Sequence, residues 1–196
     1  FGLARLSMTS ADRYFLQHYS TAAEVGLYSI GYQFGMATAL VVTPVQLGPV
    51  PQMFEIANRR DAEGQLSRLL TYYVVLLGFL GLAVSVLARE ALVVMTTPPF
   101  YDAAAVVPFI ALSYILYGVM YMTNAGLETR NLTRYMTPVI LASAVLNLVL
   151  NALLIPAHGM MGAAWATVLS YAVLAVVNTS LNLRVWYIRY EYLRLA

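Results

Sequence analysis

Apolar residues run along this chain in long unbroken stretches, separated by short polar or proline-rich segments. They do not alternate with polar residues as in a half-buried strand. Each stretch approaches the roughly 20 residues that a helix needs to cross a bilayer, whereas strands of a membrane barrel would alternate in facing. The pattern predicts six helices. Helix 1 spans 1–19. Helix 2 spans 22–50, where Pro44 is able to kink it and Pro49 and Pro51 end it. A polar connector at 58–64 leads to helix 3 at 66–88. Residues 89–95 read as an interfacial stretch, and Thr96-Thr97-Pro98-Pro99 is a break. Helix 4 spans 102–128 and helix 5 spans 134–155. Pro156-Ala157-His158-Gly159 reads as a tight turn into helix 6, which starts near Met160 and continues past Leu183 into an Arg/Tyr-rich tail.

Composition narrows the picture. Of 196 residues, 61% are hydrophobic and 10% charged, against about 25% charged in an average soluble domain. The mean hydropathy is +0.71. A soluble globular domain and a disordered chain are both excluded. The fold class expected is all-α integral membrane, with residues 1–196 forming one six-helix unit. Phe1 is preceded by no methionine and followed by no basic leader, so the chain reads as the interior of a longer protein. The net charge of +2 is too small to suggest nucleic acid as a partner. With no cysteine, thiol chemistry and Cys-ligated metals are excluded, and His18 and His158 lie too far apart in sequence to suggest a metal site. No phosphate-binding loop, nucleophile constellation or paired carboxylate lies within a span, so neither an enzyme nor a cofactor is expected.

Charge placement orients the helices. All eleven basic residues are arginine. Arg59, Arg60 and Arg68 flank the helix 2–3 connector, Arg130 and Arg134 the helix 4–5 connector, and Arg184, Arg189 and Arg194 follow helix 6. Arg5 falls on the same side; the opposite side has only Arg89. The positive-inside rule then places both ends of the chain in the cytoplasm. Trp186, Tyr187, Tyr190 and Tyr192 suit an aromatic belt at the inner surface of the plasma membrane.

Polar residues inside the spans are the candidate chemistry, because hydrocarbon penalises them. Asp12 and Arg13 lie about 10 Å below the outer end of helix 1, at 1.5 Å per residue. They point about 100° apart, so they need not pair with each other. An arginine there suits an anion such as phosphate or pyrophosphate, which its planar fork binds bidentately. Tyr114, Tyr117, Tyr121, Asn124 and Glu128 fall within about 80° on helix 4. Ser10, Arg13 and Gln17 share a side of helix 1, and Gln33 sits with Ser29 on helix 2. Asn147 and Asn151, with Ser143, recur every four residues on helix 5, and Thr167, Tyr171, Asn178 and Asn182 share one side of helix 6. These stripes either converge on a wet cavity or bond helix to helix, and the sequence leaves both readings open. The pair Gly31 and Gly35 suits close helix packing. Helix 3, apolar through its middle, is the candidate for facing lipid.

Two stretches go further. Asp12-Arg13-Tyr14-Phe15-Leu16 with Ala23-Glu24-Val25-Gly26-Leu27-Tyr28-Ser29 resembles the opening of the second half of bacterial polysaccharide flippases. The run from Leu146 through Asn147, Asn151, Pro156, Gly159 and Gly162 to Thr167 resembles a second element of that family; His158 departs from its usual pattern. The family belongs to the multidrug/oligosaccharidyl-lipid/polysaccharide exporter superfamily. The resemblance implies one lobe of a two-lobe exporter, here the C-terminal lobe, partnered by an N-terminal lobe of the same protein. It implies translocation of an undecaprenyl-pyrophosphate-linked oligosaccharide across the inner membrane. Arg13 would meet the phosphate or a sugar acid, and Tyr114, Tyr117 and Tyr121 would stack on sugar faces. Gln33, Asn124, Asn147 and Asn151 would bond hydroxyls, Asp12 would stand among the cavity groups, and Glu128 would serve ion coupling or an inner gate. A multidrug/cation antiporter of the same fold, a membrane enzyme or a non-transporting membrane protein are the alternatives.

Overall fold

In the computed structural model, the described residues are 2–40, 42–43, 62–124 and 133–185. Among them every regular element is helical. Helix α1 (Gly2–Tyr19) ends as expected, and α2 (Ala22–Met36) opens on an N-cap threonine, Thr21, whose side chain accepts a hydrogen bond from the Glu24 amide. Beyond Met36 the helix tightens: the Ala37 and Thr38 amides bond three residues back, to Phe34 and Gly35. The long helix expected over 22–50 is therefore interrupted in its middle, and the prolines expected to end it lie outside the described residues. Helix α3 (Ala62–Val86) is followed by the short helix α4 (Ala88–Met95), in the stretch that reads as interfacial. A 3-10 segment (Pro98–Ala105) then leads into α5 (Val107–Thr123). The start expected at 102 is thus divided in two, because Pro98, Pro99 and Pro108 offer no amide hydrogen to a regular helical ladder. A short 3-10 turn (Thr133–Tyr135) precedes α6 (Met136–Val185).

Helix α6 is one helical run only in name. Gly159 inside it has φ +54° and ψ −133°, backbone that β-carbon-bearing residues rarely adopt. In an unbroken helix residues 151 and 167 would stand about 24 Å apart, yet the side chains of both reach one carboxylate, that of Asp12. Ile155 packs in one cluster with Ala163 and Ala164, and Ala144 packs against the cluster that holds Leu174 and Ala175. Contacts symmetric about Gly159 describe a hairpin of two antiparallel arms, 136–158 and 160–185. The tight turn expected at 156–159 is present as this reversal.

Three apolar clusters hold the helices together. Leu16, Tyr28, Tyr32, Val106, Ile110, Ile155, Ala163 and Ala164 join α1, α2, the start of α5 and the hairpin tip. Val42, Leu70, Tyr73, Leu77 and Met122 join α3 to α5. Met120, Tyr171, Leu174 and Ala175 join α5 to the second arm. Gly31 and Gly35 set the distance between α2 and α5. A β-carbon on Gly31 would come within 2.6 Å of the Ala103 carbonyl oxygen, and one on Gly35 within 2.6 Å of Ile110 Cβ. The pair is a packing device, as its spacing suggests.

The outward face of α3 is apolar. On α3, Tyr72, Val75, Leu76, Phe79, Leu82 and Val86 are all exposed and follow helical spacing along one side. By length and composition, Ser67–Val86 and Met136–Arg184 qualify to cross a membrane, and the Pro98–Ala105 segment with Val107–Thr123, bent by 43°, forms a broken third candidate. By length and composition, the described helices thus have the make-up of a helical membrane protein.

Candidate functional site

The charges of α1 part company at Asp12 and Arg13. Asp12 is completely buried. The Tyr28 hydroxyl donates to its Oδ2 at 2.7 Å, and Asn151 Nδ2 donates to its Oδ1 at 2.7 Å. Thr167 Oγ1 lies 3.0 Å from Oδ2 and equally 3.0 Å from the Ala163 carbonyl of its own helix. Asn151 Nδ2 also reaches Asn147 Oδ1, at 3.2 Å. The carboxylate thus gathers donors from α2 and from both arms of α6, as a buried acid requires. Asn147 Nδ2 and Asn151 Oδ1 have no hydrogen-bond partner among the described residues.

Arg13, one residue on, is exposed. Its guanidinium carbon lies 5.8 Å from the centre of the Tyr32 ring, within cation–π range. Ser10 and Gln17 on α1 and Gln33 on α2 are exposed too. Tyr32 in turn meets Tyr114 of α5 edge-on, ring centres 6.4 Å apart. Tyr114 is half-buried. A serine, an arginine and a glutamine, Ser10, Arg13 and Gln17, therefore share an accessible side of α1 by helical spacing, and Arg13 abuts a tyrosine pair that leads from α2 into α5.

The sequence-predicted residues fall into two groups. Arg13 and Gln33 are exposed, and Tyr114, Tyr117 and Tyr121 are half-buried; Tyr117 packs edge-on against Tyr171, ring centres 6.0 Å apart. Asp12, Asn124, Asn147 and Asn151 are fully buried within the chain. Asn124 accepts a hydrogen bond from Asn178, and Thr123 meets Thr179 at 3.1 Å, so the ends of α5 and the second arm are tied by paired polar side chains. Glu128 lies outside the described residues.

Tyr28 joins Asp12 although sequence reasoning places it in no polar stripe, and Thr167 joins it from the helix 6 stripe; both stand in the quoted stretches. Sequence reasoning also misses Glu24. Its Oε2 accepts from the Ser20 hydroxyl at 2.6 Å and from the Met160 amide at 3.1 Å. That amide is one of the unpaired donors at the start of the second arm. Glu24 also fills the space that a β-carbon on Gly159 would enter. The hairpin tip is thereby fastened to the start of α2.

No protein-family model matches the chain, and no solved structure matches it. A curated protein of Haloferax volcanii, named as the probable low-salt glycan biosynthesis flippase Agl15, is 27% identical over 161 residues. The match covers 81% of this chain and 34% of that protein, so the chain spans about a third of its relative's length. The chain therefore has a distant, partial homologue named as a flippase.

Proposed function

We propose that this chain is one six-helix lobe of a flippase that moves a lipid-linked oligosaccharide across the plasma membrane, with a second lobe of the same protein closing the route. The observation that carries the reading is the set of accessible polar side chains Ser10, Arg13, Gln17 and Gln33 on α1 and α2, against the apolar outward face of α3. Hydrocarbon does not tolerate such a set, so it faces water or protein. Arg13 would take the phosphate of the lipid carrier, held level by the Tyr32 ring. Gln33 would bond sugar hydroxyls and Tyr114 would offer an apolar ring edge. Asp12, Asn147 and Asn151 would set the angle of Arg13 from behind and not touch the substrate. Both ends of the chain would lie in the cytoplasm. A cation antiporter fits less well, since the carboxylate of Asp12 is sealed from any cargo.

The test is Arg13→Ala in the full-length protein, with surface glycan measured at matched protein level. A drop of at least about tenfold is expected, the worth of one charge-assisted hydrogen bond. Arg13→Lys should recover part of it, because the charge returns without the fork. Undiminished glycan in Arg13→Ala would remove Arg13 from the route.

A further inference from the structure

Helix α4 stands where the outward apolar face of α3 stops. That face runs through Phe79, Leu82 and Val86, continues at Leu87, and resumes on α4 at Val93, Val94 and Met95, all exposed. On the inner side of α4, Ala88 and Leu92 are buried. Between the apolar stretches stand Arg89 and Glu90, both exposed. Neighbours on a helix do not face each other, so the two charges are not spent on one another. Arg89, Glu90, Val93 and Val94 line an open depression of about 400 Å³.

A cation, an anion and two aliphatic side chains in one depression, continuous with a lipid-facing surface, complement one chemistry. We propose that α4 seats a zwitterionic phospholipid headgroup: Arg89 takes the phosphate, Glu90 takes the ammonium, and Val93 and Val94 meet the upper acyl chains. Arginine matches phosphate with two parallel N–H donors. Glu90 attracts the ammonium and has no such partner in the uncharged glycerol of phosphatidylglycerol, which selects an amine-bearing lipid over that anionic one. The inference rests on the membrane-spanning reading of α3 and is independent of whether the protein moves a glycan.

The test uses the full-length protein, purified from membranes and offered equal amounts of phosphatidylethanolamine and phosphatidylglycerol, with retained lipid measured by native mass spectrometry. Retention of phosphatidylethanolamine in preference to phosphatidylglycerol is expected. Arg89→Gln should lower that retention about tenfold, the worth of one charge-assisted pair, and Glu90→Gln should bring phosphatidylglycerol to parity. A spin label at Val94→Cys should collide with dissolved oxygen more than with an aqueous nickel chelate. Equal retention by the Arg89→Gln protein, a preference for phosphatidylglycerol in the parent, or a Val94 label reached mainly by the chelate would each overturn the assignment. Both charged side chains are exposed, so an unchanged melting temperature is expected in the two variants and separates lipid release from misfolding.

Discussion

Asp12 is sealed from solvent and receives side-chain donors from three helical segments in return. Removing one donor leaves a lone pair of a buried acid without a partner. Tyr28→Phe should therefore destabilise the protein by about 1–3 kcal/mol, seen as a lower melting temperature in detergent. Arg13→Ala, at an exposed position, should leave that temperature nearly unchanged, so stability and transport separate at adjacent residues. Both residues are conspicuous in the sequence, since charges are rare in mid-span, and the helical angle between them is readable. Which of the two turns inward is not, because it depends on donors at positions 28, 151 and 167. The stripe pattern of Asn147 and Asn151 leaves cavity and inter-helix bonding open; their burial, and the bond from Asn151 to Asp12, bind α1 to the hairpin.

Among the elements, the hairpin of α6 shows most clearly what local sequence dictates. Pro156 removes one amide from the last turn of the first arm, and Gly159 supplies the backbone angle that reverses the chain. Both are legible as a turn. The fastening by Glu24 is not, since it joins residues 136 positions apart. Gly159→Ala combines an unfavourable backbone angle, about 1–2 kcal/mol, with a collision against the Glu24 carboxylate, and should lower the melting temperature more than Gly64→Ala, where a β-carbon meets nothing. The break after Met36 escapes sequence reasoning because no proline marks it and the lone Thr38 is too weak a signal. The tightening follows directly on Gly35, where α2 lies close against the start of α5.

For the whole molecule, the outward apolar face of α3 sets the environment. Phe79→Arg puts a charge on that face and should reduce membrane insertion by about 2.5–3.5 kcal/mol, read as the inserted fraction in a translocation assay. Orientation is testable because the chain contains no cysteine. In full-length protein freed of any other cysteine, His158→Cys should react with an impermeant maleimide on intact cells, and Arg134→Cys only after permeabilisation; the reverse result would invert the topology. Helical class and turn positions are legible from hydropathy, while the pairing of helices is not, since like apolar stretches offer many equivalent partners. That pairing bears on biogenesis. Asp12 leaves the ribosome 139 residues ahead of Asn151 and 155 ahead of Thr167. Throughout that interval α1 holds an acid whose later companions have yet to be synthesised. The nascent chain must keep α1 near the insertase, or shielded by a chaperone, until the final hairpin arrives. Translation stopped short of residue 151 should therefore yield a product cleared by membrane proteases.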